Sequence, residues 1–224
     1  MFKGIVFDFN GVLWWDGHLQ TEAWQQFALE QRGTAFSNEE LAIHMHGRTN
    51  KYVFSYLLGR EVVGKELMDL IDQKESVYRG LCLAQGDQFI LSPGSVDLLS
   101  FLCDFKIPHT IATASERINL DFFVDHLSLS RWFDIHDIVY DSGVLSGKPA
   151  PDIYLQATQN LGLKPVDCVV VEDAFSGIQA AHAAGIGYII ALGPRSSHDK
   201  LLALDGVDEA VENLDQIRRE ELFA

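Results

Sequence analysis

The sequence predicts a doubly wound α/β core with a parallel sheet, into which an all-helical cap domain is inserted. Three observations lead to this prediction. Short apolar runs of strand length recur along the chain, amphipathic segments of helical length lie between them, and residues 17–85 show helical periodicity without strand-like runs. Strands that alternate with helices are typical of a sheet covered on both faces. A chain of 224 residues suits one core domain with an insertion. We therefore expect the core at 1–16 and 86–224 and the cap at 17–85.

The first predicted strand comprises residues 2–7. It is a continuous apolar run with branched and aromatic members, and it ends in Asp8 and a glycine-containing turn. Such a run is typical of a strand that is buried on both faces, as in a parallel sheet. Further strands are predicted at 109–112, 135–139, 168–171 and 186–191, and helices at 94–104, 116–127, 151–161 and 175–184. This alternation predicts a Rossmann-like core.

The helical insertion contains its own start and stop signals. Gly33 is a stop signal, and Ser37 and Glu40 have the spacing of a capping box that opens the next helix. The chain returns to the core near Ser92, which we expect to cap the following helix, with Pro93 in its first turn.

The composition argues against several classes of partner. Apolar residues make up 47% of the chain and charged residues 22%, which is an ordinary globular composition. The formal net charge of −15, without a local run of Lys and Arg, disfavours binding to nucleic acid or to an anionic membrane. The expected partner is a small molecule, and we expect a monomer or a weak dimer.

The cysteines and the apolar runs indicate the cellular compartment. Cys82, Cys103 and Cys168 form no C-x-x-C pair and are odd in number, which argues against a disulfide framework or a zinc site. The N-terminal segment does not resemble a signal peptide, and the longest apolar run falls short of the ~20 residues that span a bilayer. We therefore expect a soluble, cytoplasmic protein with reduced thiols.

Polar residues follow several of the predicted strands or lie in the loops after them. These residues are Asp8, Thr113, Lys148, Glu172 and Asp173. Ligands of a parallel α/β sheet bind beyond the carboxyl ends of its strands. We therefore expect these side chains to converge on one edge of the sheet, although they span most of the sequence.

This set of residues suits phosphoryl transfer, in which catalysis consists largely of positioning and of neutralising charge. Asp8 can act as a nucleophile by forming an aspartyl-phosphate. Asp8 and Asp173 offer the oxygen ligands that Mg²⁺ takes, and Lys148 supplies a fixed cation. Thr113 precedes a helix start predicted at 115–117, where backbone amides favour an anion. Each residue alone also suits a turn, a helix cap or a partner of a helix dipole, and it is their combination that favours the site.

Four ordered segments resemble the signature motifs of a known family. FDFNGVL, IATASER, SGKPAPDIY and VEDAFSGIQAA are similar in order and spacing to the motifs of the haloacid-dehalogenase-like hydrolases. The branch they resemble comprises capped phosphatases and β-phosphoglucomutase-like proteins, in which a helical cap follows the first motif. HGRTN and KESVYR in the cap extend the similarity over nearly the whole chain.

The resemblance implies a role for each motif residue. Asp8 is expected to attack phosphorus, while Thr113, Ala114 and Lys148 hold the phosphate. Mg²⁺ is the implied cofactor. Its implied ligands are Asp8, the backbone carbonyl of Asn10, Glu172 and Asp173.

Two residues of the cap segment HGRTN are candidates for substrate contacts. Arg48 and Thr49 have the chemistry to bind the distal part of a substrate. The same pair also suits a helix-start cap next to a surface arginine, and the sequence leaves both interpretations open.

Asn10 departs from the family pattern. The branch usually has Asp two residues after the nucleophile, as general acid and base, and an amide cannot donate and reclaim a proton. The loss is about 10² to 10⁴-fold on the usual scale of general acid–base catalysis. Metal binding through the backbone carbonyl is not affected. Asn10 also suits a simple Asn-Gly turn, and Asp16 and the acids of the cap are alternative proton donors.

The sequence therefore predicts a phosphatase that acts on a small phosphorylated metabolite, in particular a sugar phosphate. A hexose-phosphate mutase is an alternative, because Lys74 matches a lysine of the β-phosphoglucomutases. The other cap positions differ from theirs: Gln20, His46 and Asn50. A phosphate-binding protein with an impaired site is a second alternative, motivated by Asn10. A dehalogenase is a third, and the acidic pair Glu172 and Asp173 argues against it because dehalogenation uses no metal.

Overall fold

The computed structural model describes residues 1–45 and 48–223. The chain forms two compact units, one comprising Met1–Trp15 and Ile90–Ala224 and the other Asp16–Phe89. The helical unit thus starts one residue earlier and ends four residues later than 17–85. Its last helix ends at Ala84, and a separate 3-10 turn at Gly86–Gln88 follows within the same unit.

The helical unit is built from α1 (Gly17–Arg32), α2 (Asn38–Glu40), α3 (Asn50–Leu58) and α4 (Gly64–Ala84), with a π-helical turn at Leu41–Met45. Both predicted signals are confirmed. Gly33 ends α1 in the left-handed region, with a φ of 73°. The Ser37 hydroxyl accepts a hydrogen bond from the Glu40 N–H, and the Glu40 carboxylate accepts one from the Ser37 N–H.

The core unit contains the predicted parallel sheet. Within the described residues it has six strands: β1 (Gly4–Phe7), β2 (His109–Glu116), β3 (Val139–Asp141), β4 (Cys168–Glu172), β5 (Tyr188–Leu192) and β6 (Glu209–Val211). Their order is β3-β2-β1-β4-β5-β6, and every pairing is parallel. The order reverses between β1 and β4, which is the point where doubly wound sheets bind ligands. The predicted fold class is confirmed.

Strands β3 and β6 differ from the prediction, and β2 continues beyond residue 112 to Glu116. Residues 135–138 lie outside β3, because the Asp134 carboxylate accepts a hydrogen bond from the His136 N–H and the Asp134 carbonyl accepts one from the Asp137 N–H, so that a turn forms. The strand therefore begins only at Val139. β6 was not predicted, because it has only three residues and no apolar run.

The core helices are α5 (Ser95–Asp104), α6 (Arg117–His126), α7 (Asp152–Asn160), α8 (Phe175–Ala183), α9 (His198–Leu202) and α10 (Arg219–Phe223). The first four lie within the predicted segments. One buried cluster joins the sheet to helices α7 and α8, and it includes Val6, Ala112, Tyr154, Val170 and Ile178. No described helix is both long and apolar enough to span a bilayer.

The predicted helix cap at Ser92 was wrong. Helix α5 begins at Ser95 after Gly94, which has a φ of 83° and no side-chain cap. The Ser92 hydroxyl instead donates a hydrogen bond to the Val12 carbonyl over 2.5 Å. Gly94 is required there, since a Cβ atom would lie 2.2 Å from the Asp215 nitrogen.

Candidate active site

Asp8 is the first residue after β1, the strand at the centre of the switch point. Its N–H donates a hydrogen bond to the Val171 carbonyl of β4 over 3.0 Å, so this contact with the neighbouring strand fixes the backbone of Asp8. Its side chain is buried, with 6% of the residue exposed. A buried carboxylate costs free energy unless it is paired, and Lys148 is its partner.

Lys148 lies in the loop between β3 and α7 and connects two carboxylates. Its Nζ atom donates hydrogen bonds to Asp8 Oδ1 over 2.7 Å and to Glu172 Oε1 over 2.5 Å. The lysine side chain is 8% exposed. Asp8 lies 140 positions from Lys148 in the sequence, and Glu172 lies 24 positions from it. Both carboxylates thus meet at one amino group.

Glu172 ends β4 and is completely buried. In addition to Lys148, its Oε1 atom accepts a hydrogen bond from the Tyr154 hydroxyl over 2.6 Å. Its Oε2 atom accepts hydrogen bonds from the backbone N–H groups of Asp173 and Ala174, each over 3.1 Å. Helix α8 packs directly against this carboxylate, because a Cβ atom on Gly177 would lie 1.7 Å from Oε1. Glu172 is therefore held in a single orientation.

Tyr154 is a site residue that the sequence analysis did not single out. It lies in the quoted segment SGKPAPDIY, at the third position of α7, and its ring is fully buried. No local pattern in the sequence marks it, because its partner Glu172 lies 18 positions away along the chain.

Asp8, Glu172 and Asp173 form an acidic cluster. One carboxylate oxygen of each lies within 4.8 Å of the others. Asp173 also lies against the turn after Asp8, because a Cβ atom on Gly11 would be 2.0 Å from Asp173 Oδ2. Three carboxylates lie together here, and hard oxygen ligands in this number suit a small divalent cation.

The charges of this cluster shift its pKa values. Burial raises the pKa of Asp8 most, Lys148 lowers it and Glu172 raises it again, and the balance lies at about 7. Burial lowers the pKa of Lys148, but Asp8 and Glu172 raise it above the ordinary lysine value. The lysine is therefore charged, whereas the ionised form of Asp8 would gain from a further cation beside it.

Asn10, Thr113 and Ala114 lie on the neighbouring elements of the core unit. The Ser115 hydroxyl donates a hydrogen bond to Asn10 Oδ1 over 2.8 Å, and the Ser115 N–H donates one to Thr113 Oγ1 over 3.1 Å. Thr113 is buried and Ala114 is exposed. The helix start predicted at 115–117 was wrong in part, because β2 continues to Glu116 and α6 begins at Arg117.

Arg48 and Thr49 belong to the helical unit and are both exposed. The Thr49 hydroxyl caps α3 by accepting a hydrogen bond from the Tyr52 N–H over 3.4 Å. The Arg48 guanidinium lies 4.9 Å from the centre of the Tyr52 ring. The local interpretation, a helix cap beside a surface arginine, thus fits the described contacts.

A buried polar network lies inside the helical unit. Lys74 Nζ donates hydrogen bonds to Gln20 Oε1 over 2.7 Å and to Glu75 Oε1 over 2.8 Å. Asn50 Nδ2 donates one to Glu75 Oε1 over 3.0 Å. The sequence singled out Lys74, Gln20 and Asn50 separately, and the structure joins them through Glu75, which the sequence analysis missed. His46 lies outside the described residues.

Comparisons with known proteins identify the family to which the chain belongs. The profile of the family described as haloacid dehalogenase-like hydrolase matches residues 2–185. A solved HAD hydrolase, family IA, variant 3, from Entamoeba histolytica is 35% identical, with a TM-score of 0.90 over 98% of this chain and 97% of that chain. Fructose-1-phosphate phosphatase YqaB from Escherichia coli is 28% identical over 185 residues, which are 83% of this chain and 94% of that protein.

A further relative is longer than this chain. The bifunctional riboflavin kinase/FMN phosphatase of Arabidopsis thaliana is 31% identical over 157 residues, which are 69% of this chain. The aligned part makes up 40% of that relative. This chain thus resembles one portion of it.

Proposed function

The chain belongs to the haloacid dehalogenase-like hydrolases, and we propose that it is a Mg²⁺-dependent phosphatase of small phosphorylated metabolites, in particular sugar phosphates. The proposed intermediate is an aspartyl-phosphate on Asp8. The observation that carries this proposal is the buried Asp8 carboxylate, which is bonded to Lys148 and clustered with Glu172 and Asp173. The activity of the relative YqaB on fructose 1-phosphate supports the substrate class.

Asp8 is the proposed nucleophile, and Lys148 is the group that positions it. An oxygen of Asp8 forms a bond to phosphorus while the bond to the leaving group breaks. Lys148 holds Asp8 Oδ1 at 2.7 Å and offsets negative charge on the transferred group. The Thr113 hydroxyl and the backbone of the exposed Ala114 are the proposed donors to the other phosphoryl oxygens.

The proposed metal ligands are Asp8, Asp173 and the backbone carbonyl of Asn10. When Mg²⁺ is bound, it neutralises charge on the phosphoryl oxygens. Glu172 belongs to the same cluster, but each of its oxygens already accepts two hydrogen bonds. We therefore assign it the role of holding Lys148 and the loop at Asp173. Arg48 and Thr49 are proposed to contact the substrate's distal part, on the basis of their exposure.

The proposal is tested by phosphate release from a panel of sugar and small-metabolite phosphates, with Mg²⁺ and with EDTA. Asp8→Asn is the matched variant, because it preserves the size of the side chain and removes the nucleophile. We expect Mg²⁺-dependent release by the unmodified chain and none by the variant. Equal release by both proteins, or release that EDTA does not reduce, would contradict the proposal.

The same panel addresses the alternatives. A mutase interconverts hexose phosphates without releasing phosphate, and a binding protein is stabilised against heat by phosphate and Mg²⁺ without any turnover. A dehalogenase releases chloride from a haloacid without Mg²⁺. Within the described residues, the Lys74 amine is already bonded to Glu75 and Gln20, which gives no specific support to the mutase.

A further inference from the structure

The turn after the proposed nucleophile carries an amide, Asn10, at the position where the resemblance of the first motif implies a general acid. We propose that this chain dephosphorylates compounds whose leaving group departs as a stable anion, namely acyl, enol and aryl phosphates, in strong preference to phosphates of ordinary alcohols. Sugar phosphates esterified at the anomeric carbon lie between these classes, since that hydroxyl is more acidic than an ordinary alcohol. The inference rests on the proposed function, and within its small phosphorylated metabolites it ranks sugar phosphates of ordinary hydroxyls below acyl, enol and aryl phosphates.

The amide of Asn10 is fixed in place by its surroundings. The Ser115 hydroxyl donates to its Oδ1 atom over 2.8 Å. The turn itself is closed by hydrogen bonds from the Gly11 N–H to the Trp14 carbonyl over 2.7 Å and from the Leu13 N–H to the Phe9 carbonyl over 2.9 Å. An asparagine amide can donate hydrogen bonds through its nitrogen, but it does not release a proton as a carboxylic acid does.

The other protons around Asp8 are already committed. The Lys148 amine donates hydrogen bonds to both Asp8 and Glu172. The Tyr154 hydroxyl donates to Glu172 over 2.6 Å. Both oxygens of Glu172 already accept hydrogen bonds. Among the described core residues that contact this cluster, no side chain is placed as a general acid.

The bond changes show why the leaving group then matters. An oxygen of Asp8 forms the bond to phosphorus, the bond from phosphorus to the leaving oxygen breaks, and the electron pair stays on that oxygen. A carboxylate, phenolate or enolate leaves in this form, whereas an alkoxide needs a proton in the transition state.

The second half of the reaction follows the same logic. Water attacks phosphorus, the bond to Asp8 breaks, and the Asp8 carboxylate leaves without needing a proton, while the proton of water passes to the phosphate and solvent. The attacking water gains no help from a base at residue 10. The phosphorylated enzyme should therefore accumulate when the first step is fast.

The test is a linear free-energy series in the full chain with Mg²⁺. The probes are acetyl phosphate, a set of substituted phenyl phosphates and glucose 6-phosphate, and the readout is kcat/KM, which reports the transfer to Asp8. We expect kcat/KM to fall steeply as the pKa of the leaving group rises. Asn10→Asp should raise kcat/KM for glucose 6-phosphate by about 10² to 10⁴-fold, with little gain for acetyl phosphate. In this variant kcat/KM should therefore depend less steeply on the pKa of the leaving group.

Ser115→Ala is the matched control, because it removes the hydrogen bond to Asn10 without supplying an acid, and its series should stay steep. Thermal unfolding of each variant checks that it folds. The proposal is overturned if the unmodified chain and Asn10→Asp give equal slopes, or if glucose 6-phosphate and acetyl phosphate react within a few-fold of each other. Failure of the proposed function is a different result, in which Asp8→Asn keeps its activity on acetyl phosphate.

Discussion

At the scale of single residues, the site depends on how Glu172 divides its hydrogen bonds. Lys148 and Tyr154 share its Oε1 atom, and two backbone N–H groups share its Oε2 atom. Lys148 also contacts Asp8, so the position of one carboxylate affects the environment of the other. Tyr154 is therefore a positioning residue: it contacts Glu172 and acts on Asp8 through Lys148.

The change Tyr154→Phe tests this role. Without the hydroxyl, Glu172 attracts Lys148 more strongly, and the contact between Lys148 and Asp8 weakens. We expect phosphorylation of Asp8, measured in a single turnover with acetyl phosphate, to slow by about tenfold, which corresponds to one hydrogen bond of about 1.4 kcal/mol.

Tyr188→Phe is the control for Tyr154→Phe. It removes a hydroxyl that donates to Glu209 over 3.3 Å on the β5–β6 side of the sheet. This variant should lose a similar amount of stability and keep its phosphorylation rate. A rate for Tyr154→Phe equal to that of the control would rule out the positioning role.

At the scale of elements, the start of α2 shows how local sequence fixes structure. The Glu40 carboxylate accepts hydrogen bonds from Arg32, from the Tyr56 hydroxyl and from the Ser37 N–H. The hydrogen bond from Arg32 is the largest of the effects that lower the pKa of Glu40, from 4.5 to about 2. The charged form is therefore favoured in the folded protein.

This shift predicts how the free energy of unfolding depends on pH. A lowered pKa in the folded state stabilises the protein above pH 4.5, and this contribution is lost as the pH falls toward 2. Glu40→Gln should therefore cost about 1 kcal/mol at pH 7, since the pair with Arg32 is partly exposed. The cost should shrink in urea unfolding at pH 3. The control is Glu39→Gln at the exposed neighbouring residue, which should change the free energy of unfolding little at either pH. If Glu40→Gln lowered the free energy of unfolding equally at both pH values, the lowered pKa of Glu40 would be refuted.

Sequence reasoning succeeded where structure depends on neighbouring residues and failed where it depends on distant ones. The capping box at Ser37 and the buried run of β4 are local patterns, and both were predicted. The shift of β3 was missed, because the turn at Asp134 interrupts an apolar stretch. Tyr154 and the network around Glu75 were missed for another reason, since Tyr154 meets Glu172 and Asn50 meets Glu75 only when distant segments pack together.

At the scale of the whole molecule, each of the two units has its own hydrophobic cluster. In the helical unit the cluster centres on aromatic rings, with Trp24 and Phe54 at a centroid distance of 4.9 Å and Phe27 and Phe54 at 5.3 Å. The cluster draws on α1, α3 and α4 as well as on the segment around Phe36. A unit with a core of its own is expected to fold independently.

The isolated fragment Asp16–Phe89 tests that expectation. We expect a helical circular dichroism spectrum and a single cooperative transition in urea, with a stability of at most roughly 3–5 kcal/mol, the upper range for one core of this size. Phe54→Ala should abolish the transition, because removing a buried phenylalanine costs about 3–5 kcal/mol. Leu29→Ala, at an exposed position of α1, is the control that should keep it. A fragment without cooperative unfolding would show that the helical unit depends on the rest of the chain for its stability.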